Sequence, residues 1–428
     1  MCTASSGLAA VLMEGGRTVH GQFKVPPKCI DSTTTGQVSA HTKLAKEIIN
    51  ADTLFIDEGP ALDVYVLNAA ERLCQDLRAS SEPFGGLTVI IAGDFRQCLP
   101  VCPRASRAAQ VRRSIRFAPY WHRFERVTLH TNMRSTRCRQ LGNDEQAARL
   151  DEFAELLLSI GDGKRPVCKG FHGVQLPAPM CECKSVAETV DWVYPDIPNH
   201  FEDDEWLGGR GILAPLHVQV NAANQMVLDR LPGESMTFLS ADGALHCETA
   251  TDIPLDFLHS RHVAGVAPHK LVLKPGAIVI LLINLATAKG ACNGTRMRFV
   301  RHLCQERVLE CVILTGAMKG QTLFVPRIPI TMDESYWPWP WIRKQFPVQL
   351  AFAMTINKAQ GQTLQRCGLL LDRTVFAHGQ LYVGMSRVGD PDQLQVFIPP
   401  KSDGISVCGK RNITVNTVYK EALSQHNT

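Results

Sequence analysis

Thr53-Leu54-Phe55-Ile56-Asp57-Glu58 is the stretch on which the fold turns. A short, mainly apolar run ends on two adjacent acids, the pattern of a strand buried on both faces in a parallel sheet. Leu87-Thr88-Val89-Ile90-Ile91-Ala92 repeats that pattern and ends on Gly93-Asp94. Between the two runs, Val64, Leu67, Ala70, Leu73 and Leu77 recur at helical spacing. Strand, helix and strand within about 40 residues make a βαβ unit. Its polar residues fall at the carboxyl ends of both strands, where open α/β sheets bind ligands.

Farther along, Asp144 to Ile160 predicts a long helix stopped by Gly161-Asp162-Gly163. Residues 164 to 205 are rich in Pro, Cys and acids and read as a loop-rich connector. Gly211 to Ala214 predicts a strand leading through Pro215 into a helix from Val218 to Leu231. From 272 to 342 short β-runs alternate with Gly and Pro: Ala277 to Leu282, Thr295 to Val300, Leu309 to Leu314, Gln321 to Val325. That pattern predicts a small β-barrel inserted in an α/β domain. The α/β signature resumes with Val348 to Met354 and Gly368 to Leu371.

Bulk properties narrow the class. A chain of 428 residues exceeds what one hydrophobic core supports, so two or three domains are expected. With 45% apolar and 20% charged residues it is a folded rather than a disordered chain. The net charge of +4 permits a nucleic-acid partner without arguing for one. Fifteen cysteines form no CxxC pair, which points to reduced thiols in a reducing compartment rather than a zinc site. The apolar run Ala277 to Leu285 is too short to span a bilayer, and no signal peptide is visible, so a soluble intracellular protein is expected.

Several residues carry chemistry. Asp57-Glu58 after an apolar strand is the arrangement NTPases use to hold Mg²⁺ and to accept a proton from water; a helix N-cap is the alternative. In Gly93-Asp94-Phe95-Arg96-Gln97 the glutamine could feel a γ-phosphate, or the segment could be a tight turn. Val127-Thr128-Leu129 reads as a strand leading to Asn132-Met133-Arg134, and Tyr382-Val383-Gly384-Met385-Ser386-Arg387 lies near the end. Either arginine could be a surface residue; converging on one phosphate, the two would make hydrolysis depend on domain closure. Thr355-Ile356-Asn357-Lys358-Ala359-Gln360-Gly361-Gln362 has the small, polar and basic residues that grip a phosphate backbone, or that simply begin a polar helix. Trp337-Pro338-Trp339-Pro340-Trp341 could stack on bases or pack, and arginines 104, 107, 112, 113 and 116 could meet phosphates or solvent.

Taken in order, these segments join Thr3-Ala4-Ser5-Ser6-Gly7-Leu8-Ala9-Ala10 and Gly15-Gly16-Arg17-Thr18-Val19-His20-Gly21-Gln22-Phe23. The whole series resembles the petite-integration-frequency (PIF) family of superfamily 1B DNA helicases, in particular the helicase module of Helitron transposons. The resemblance implies two RecA-like P-loop NTPase domains, the second carrying an SH3-like β insertion. The expected division is a first RecA-like domain over 1–140, a connector and the start of the second over 141–271, the insertion over 272–342 and the remainder over 343–428.

Carried over residue by residue, it implies ATP and Mg²⁺ as cofactors. Asp57 would hold the metal, Glu58 would be the general base, Gln97 the γ-phosphate sensor, and Arg134 and Arg387 arginine fingers. Gly93, Asp94, Gly361 and Gln362 would border the nucleotide. Thr3, Ser5, Gly7, Arg17, His20, Thr355, Asn357 and Lys358 would line a single-strand track on single-stranded and duplex DNA. It also implies 5′-to-3′ unwinding, roles in recombination, repair and telomere maintenance, and a nuclear location.

The pattern departs from the family in one major respect. No GK[ST] Walker A loop occurs anywhere, and Gly163-Lys164 is followed by Arg165. The loop's amides and lysine neutralise the phosphates, so hydrolysis is expected to fall severely without them. The expectation is an N-terminally truncated chain, its first domain lacking the P-loop strand and helix, with that strand placed beside the Asp57 strand. A non-hydrolysing DNA-binding remnant is the alternative. No histidine is followed by another two positions on, so the strand-nicking metal pair of Helitron transposases is absent.

Overall fold

The acid-tipped run folds as the strand β3, Thr53–Asp57, with Leu54 and Ile56 fully buried. It lies in a parallel sheet with β1 (Cys2–Ala4), β2 (Arg17–Thr18) and β4 (Thr88–Ile91), in the order β2-β1-β3-β4. The register sets Ala4 opposite Asp57 and Ile56 opposite Ile91, so the ends of three strands meet on one edge. The helix Val64–Arg78 is capped by the Asp63 carboxylate, which accepts from the Tyr65 amide, and stopped by Ala79 in the left-handed region. Its Val66, Leu67, Ala70 and Leu73 pack on the sheet, each fully buried large side chain contributing roughly 1.5–3 kcal/mol.

This protein is described by a computed structural model over residues 1–27, 30–102, 105–164, 173–244, 254–263, 265–287, 290–332, 340–399 and 412–423. It divides into two units. The first comprises 1–189, 213–216 and 355–428 and holds the four-stranded sheet, the helix Asp144–Gly161 and the parallel pair Arg366–Leu370 with Leu394–Phe397. The second comprises 190–212 and 217–354. Its centre is an antiparallel sheet whose strands Ile278–Leu281, Arg296–Leu303, Val308–Ile313 and Thr322–Pro326 fall in the β-rich stretch expected from the sequence, while Val348–Leu350, expected to resume the α/β domain, pairs with Ile278–Leu281 instead. Arg296 is buried there and donates to the carbonyls of Gly208, Arg210 and Ala351.

Three local expectations are corrected. First, the Asp57 strand has a partner on each side, β1 and β4, so no further strand fits beside it; the outer strands among the described residues are β2 and β4, and on β4 Ile90 is 49% exposed. Second, Val127 to Leu129 is not a strand: no neighbour among the described residues supplies a ladder, and Leu129 is 92% exposed. Third, the expected loop-rich connector holds the helices Val186–Val193, Ile197–His200 and Asp204–Gly208. Val190 and Val193 are buried one helical turn apart, a periodicity that the surrounding Pro and Cys masked.

Candidate active site

Asp57 and Glu58 stand where β3 ends. The Glu58 amide donates to Asp57 Oδ1 at 2.9 Å, and Glu58 itself turns the chain with φ 52°, a left-handed conformation rare for this residue type. The strand cannot swing away at this point, because Gly59 donates its N–H to the Ala92 carbonyl at 2.8 Å. A Cβ on Gly59 would sit 2.3 Å from Ile91 Cγ2, which accounts for glycine after the acidic pair. Burial raises the Glu58 pKa first, with the Asp57 charge second; a hydrogen bond to Gln360 and the Arg387 charge oppose the shift. Glu58 is therefore a stronger proton acceptor than a solvated glutamate, while remaining beside a cation.

Gly93 to Gln97 turns at the end of β4. Gly93 has φ 149° and a Cβ there would meet Pro60 at 2.3 Å, so this position admits only glycine. The turn is gripped by residues from far along the chain. Tyr382 donates its hydroxyl to Asp94 Oδ2 at 2.6 Å, and burial, then Asp94, pushes that phenol's pKa upward. His378 accepts the Tyr419 amide on Nδ1 at 2.8 Å, so its proton sits on Nε2 and is donated to the Phe95 carbonyl at 2.8 Å. Burial lowers the pKa of that imidazole and keeps it neutral. Arg96 pairs with Asp94 and, at 2.6 Å, with Asp162. At the tip, Gln97 Oε1 is buried with no hydrogen-bond partner among the described residues.

Arg387 is 9% exposed. Its Nε donates to the Val383 carbonyl at 2.8 Å, Nη1 to the carbonyls of Gln362 at 3.1 Å and Ala359 at 3.4 Å, and Nη2 to Ser386 Oγ at 2.8 Å. Burial lowers its pKa and Glu58 is the first of the charges that oppose this. Around it lies the 355–362 segment. Thr355 is buried, and Asn357 Oδ1 accepts from Gln380 Nε2 at 2.8 Å. Lys358 is half-buried, its pKa lowered by burial, with no ion pair among the described residues. Gly361 is exposed with φ 76°, and Gln362 Oε1 is a second buried acceptor without a partner.

Other expected site residues separate. Arg134 is exposed, and its side chain lies by Gly389, where an added Cβ would be 3.6 Å from Arg134 Nε. Ser5 and Gly7 follow β1 beside the acids, the Ser5 amide donating to the Asp57 carbonyl at 3.1 Å. Thr3, by contrast, is 0% exposed and spends its hydroxyl on the Phe55 carbonyl at 2.8 Å, a fold-holding position that a DNA strand cannot reach. Arg17 pairs with Glu47, and His20 Nδ1 faces the Val25 carbonyl at 3.1 Å. The arginine series is largely structural: Arg107 pairs with Glu421, Arg113 with Asp63, and Arg116 lies over the Phe95 ring. Trp341 is buried; Arg104, Trp337 and Trp339 lie outside the described residues.

Gln360, His378, Gly379 and Tyr382 were not singled out from the sequence. Gln360 and Tyr382 sit inside quoted motifs, so their polarity was a usable signal; His378 is a lone histidine and gave none. As for a cofactor, the half-buried Asp57 carboxylate suits a divalent ion, and the two unpartnered glutamine oxygens call for a polar occupant, each costing roughly 1–3 kcal/mol unmet. Either amide can turn to offer its N–H to a phosphate oxygen. A phosphate-cradling loop is not found among the described residues.

Residues 1–169 match the family profile of PIF1-like helicases, and 256–301 match that of the Pif1 helicase 2B domain. The chain is 27% identical over 414 residues to the ATP-dependent DNA helicase PIF1 of Xenopus laevis, covering 92% of this chain and 54% of the relative. For the Homo sapiens protein of the same name the figures are 27% over 400 residues, 93% and 54%. The chain thus spans about half the length of the curated relatives it matches. In fold it is similar to the Bacteroides Pif1 helicase solved with ADP-AlF3 and single-stranded DNA: TM-score 0.63, 20% identity, covering 97% of this chain and 89% of that one.

Proposed function

We propose that this chain, which belongs to the PIF1-like helicases, is the motor part of an ATP-dependent DNA helicase that couples hydrolysis to movement along single-stranded DNA. The observation that carries this reading is the meeting of Glu58 with Gln360 and Arg387, segments some 300 residues apart, beside Asp57 and the gripped 93–97 turn. Bound Mg²⁺ and ATP would supply the electrophilic phosphorus and screen the phosphate charge. Asp57 would hold the ion, and Glu58, made more basic by burial, would take the proton of the attacking water. Gln97 would read the terminal phosphate with its unpartnered amide. Arg387 would exchange the Gln362 and Ala359 carbonyls for phosphate oxygens, and Arg134 would approach from solvent.

Ser5, Gly7, Arg17, His20, Thr355, Asn357 and Lys358 are the proposed DNA contacts; Lys358 is supported by being a half-buried cation without an ion pair among the described residues. Travel from 5′ to 3′, roles in recombination, repair and telomere maintenance, a Helitron origin and a nuclear location rest on the family resemblance.

A second reading is a DNA-binding protein that does not hydrolyse ATP. On the motor reading, a phosphate-binding strand would lie along an outer edge of the four-stranded sheet, β2 or β4. Turnover of ATP with and without single-stranded DNA decides between them, with Glu58→Gln as the blank. DNA-stimulated turnover abolished in Glu58→Gln supports the motor. Turnover that matches the blank, with DNA binding retained, supports the second reading.

A further inference from the structure

His378 and Tyr419 take no part in the chemistry proposed above, yet both touch the segment that carries Gln97. We infer, on the motor reading, that the two form a clamp that positions Gln97 to read the terminal phosphate. Losing the clamp then removes the preference for a nucleoside triphosphate over the diphosphate.

Two contacts bracket Gln97. Two residues before it, the Phe95 carbonyl accepts from His378 Nε2 at 2.8 Å. Two residues after it, buried Leu99 packs in one cluster with Val111, Tyr419 and Ala422. The two holds are joined to each other. The Tyr419 amide donates to His378 Nδ1 at 2.8 Å, and the two rings stack with centroids 5.5 Å apart and planes 25° from parallel. A backbone bond runs beside them, from the Gly379 amide to the Thr417 carbonyl at 3.1 Å.

The clamp is itself fixed. His378 is 1% exposed, and Tyr419 donates its hydroxyl to Gln110 Oε1 at 3.4 Å. The Arg107 guanidinium lies 4.8 Å from the centre of the Tyr419 ring and pairs with Glu421 at 2.8 Å. A neutral imidazole suits the bridge because it donates on one side and accepts on the other, which neither an ammonium nor a carboxylate can do. Burial keeps the ring in that form.

Within this held backbone one side-chain group is left over. The Gln97 amide N–H donates to the Asp94 carbonyl at 3.1 Å, while Asp94 and Arg96 are tied to Tyr382 and Asp162. The Gln97 side-chain oxygen is buried without a hydrogen-bond partner among the described residues. An unmet buried amide is unfavourable until a ligand meets it, and a backbone fixed beforehand lets it make that bond without a further cost of ordering. The hold matters because a shift of about 1 Å in a positioned group can cost about 100-fold.

The test measures the binding of a non-hydrolysable ATP analogue and of ADP, each with Mg²⁺, to the full chain and its variants. His378→Phe keeps a ring but neither nitrogen, whereas His378→Gln keeps a donor and an acceptor. The ratio of the two affinities should fall by about 10-fold in His378→Phe, the worth of one hydrogen bond to a charged group. His378→Gln should restore it to within about 3-fold. Gln97→Ala should show the same fall, and adding His378→Phe to it should bring no further one. A ratio does not depend on the folded fraction, so a merely structural role leaves it unchanged. Amide hydrogen exchange over 94–99 should quicken in His378→Phe while that over 54–57 stays the same. An unchanged ratio in His378→Phe, or a further fall in the double variant, overturns the clamp. A parent chain that binds neither nucleotide defeats the motor reading instead; exchange then decides, and equal protection of 94–99 in parent and variant overturns the clamp. Should His378→Phe not fold, His378→Asn, whose shorter amide reaches Tyr419 but not Phe95, takes its place with the same expectations.

Discussion

Arg387 and Arg134 were expected to do the same job, yet the fold treats them in opposite ways. Arg387 is buried, donates to three carbonyls and a hydroxyl and feels the Glu58 charge, whereas Arg134 is exposed and rests beside Gly389. A buried guanidinium is tolerated only when its donors are met, so Arg387 organises the 359–386 backbone as well as facing the acids. An exposed one can be lost without harm to the fold. A shared motif label therefore says nothing about the free energy a residue holds before any ligand arrives.

That contrast sets the order of expected effects. Arg387→Ala strands several buried carbonyls and should destabilise by about 3–5 kcal/mol, read by chemical denaturation. Gly379→Ala comes next. Its φ is 72° and the new Cβ would lie 2.2 Å from the Arg96 carbonyl, so a loss of about 2–3 kcal/mol and a loosened 93–97 turn are expected. Tyr382→Phe removes the hydroxyl bound to Asp94 and should cost about 1.5 kcal/mol.

Glu58→Gln should act in the other direction. Burial raises the folded pKa of Glu58, so the fold prefers the neutral acid; the stability this gives is present at acid pH and is lost as pH rises through the folded value. The variant should therefore be more stable than the parent near pH 8, with the difference closing as pH falls toward the ordinary glutamate range. Thermal melts across that range check it. Arg134→Ala should change stability by less than about 0.5 kcal/mol; a larger loss would mean the exposed arginine is structural after all.

Much of this was legible from sequence, because local pattern carried it. The helix expected from Asp144 to Ile160 runs Asp144–Gly161, and the run Leu309 to Leu314 is the strand Val308–Ile313. The acid-tipped run folds as the strand Thr53–Asp57 for the same reason, although its pattern left the acids' role open between a metal site and a helix N-cap. What stayed hidden depended on partners distant in the chain. Val127 to Leu129 has strand composition but no neighbour to pair with, and composition cannot report a missing ladder. Thr3 belongs to a motif read as DNA-binding, yet its hydroxyl serves Phe55, a partner 52 residues away. His378 gave no signal, since one histidine in sequence does not disclose that a carbonyl and an amide will fix its tautomer.

The most direct test of the central claim, that acid and arginine act at one site, is a double-mutant cycle on Glu58→Gln and Arg387→Gln followed by denaturant unfolding. Assembly at one site predicts a coupling of at least about 0.5 kcal/mol. Effects that add to within about 0.3 kcal/mol would mean that Glu58 and Arg387 do not feel each other, which contradicts the account.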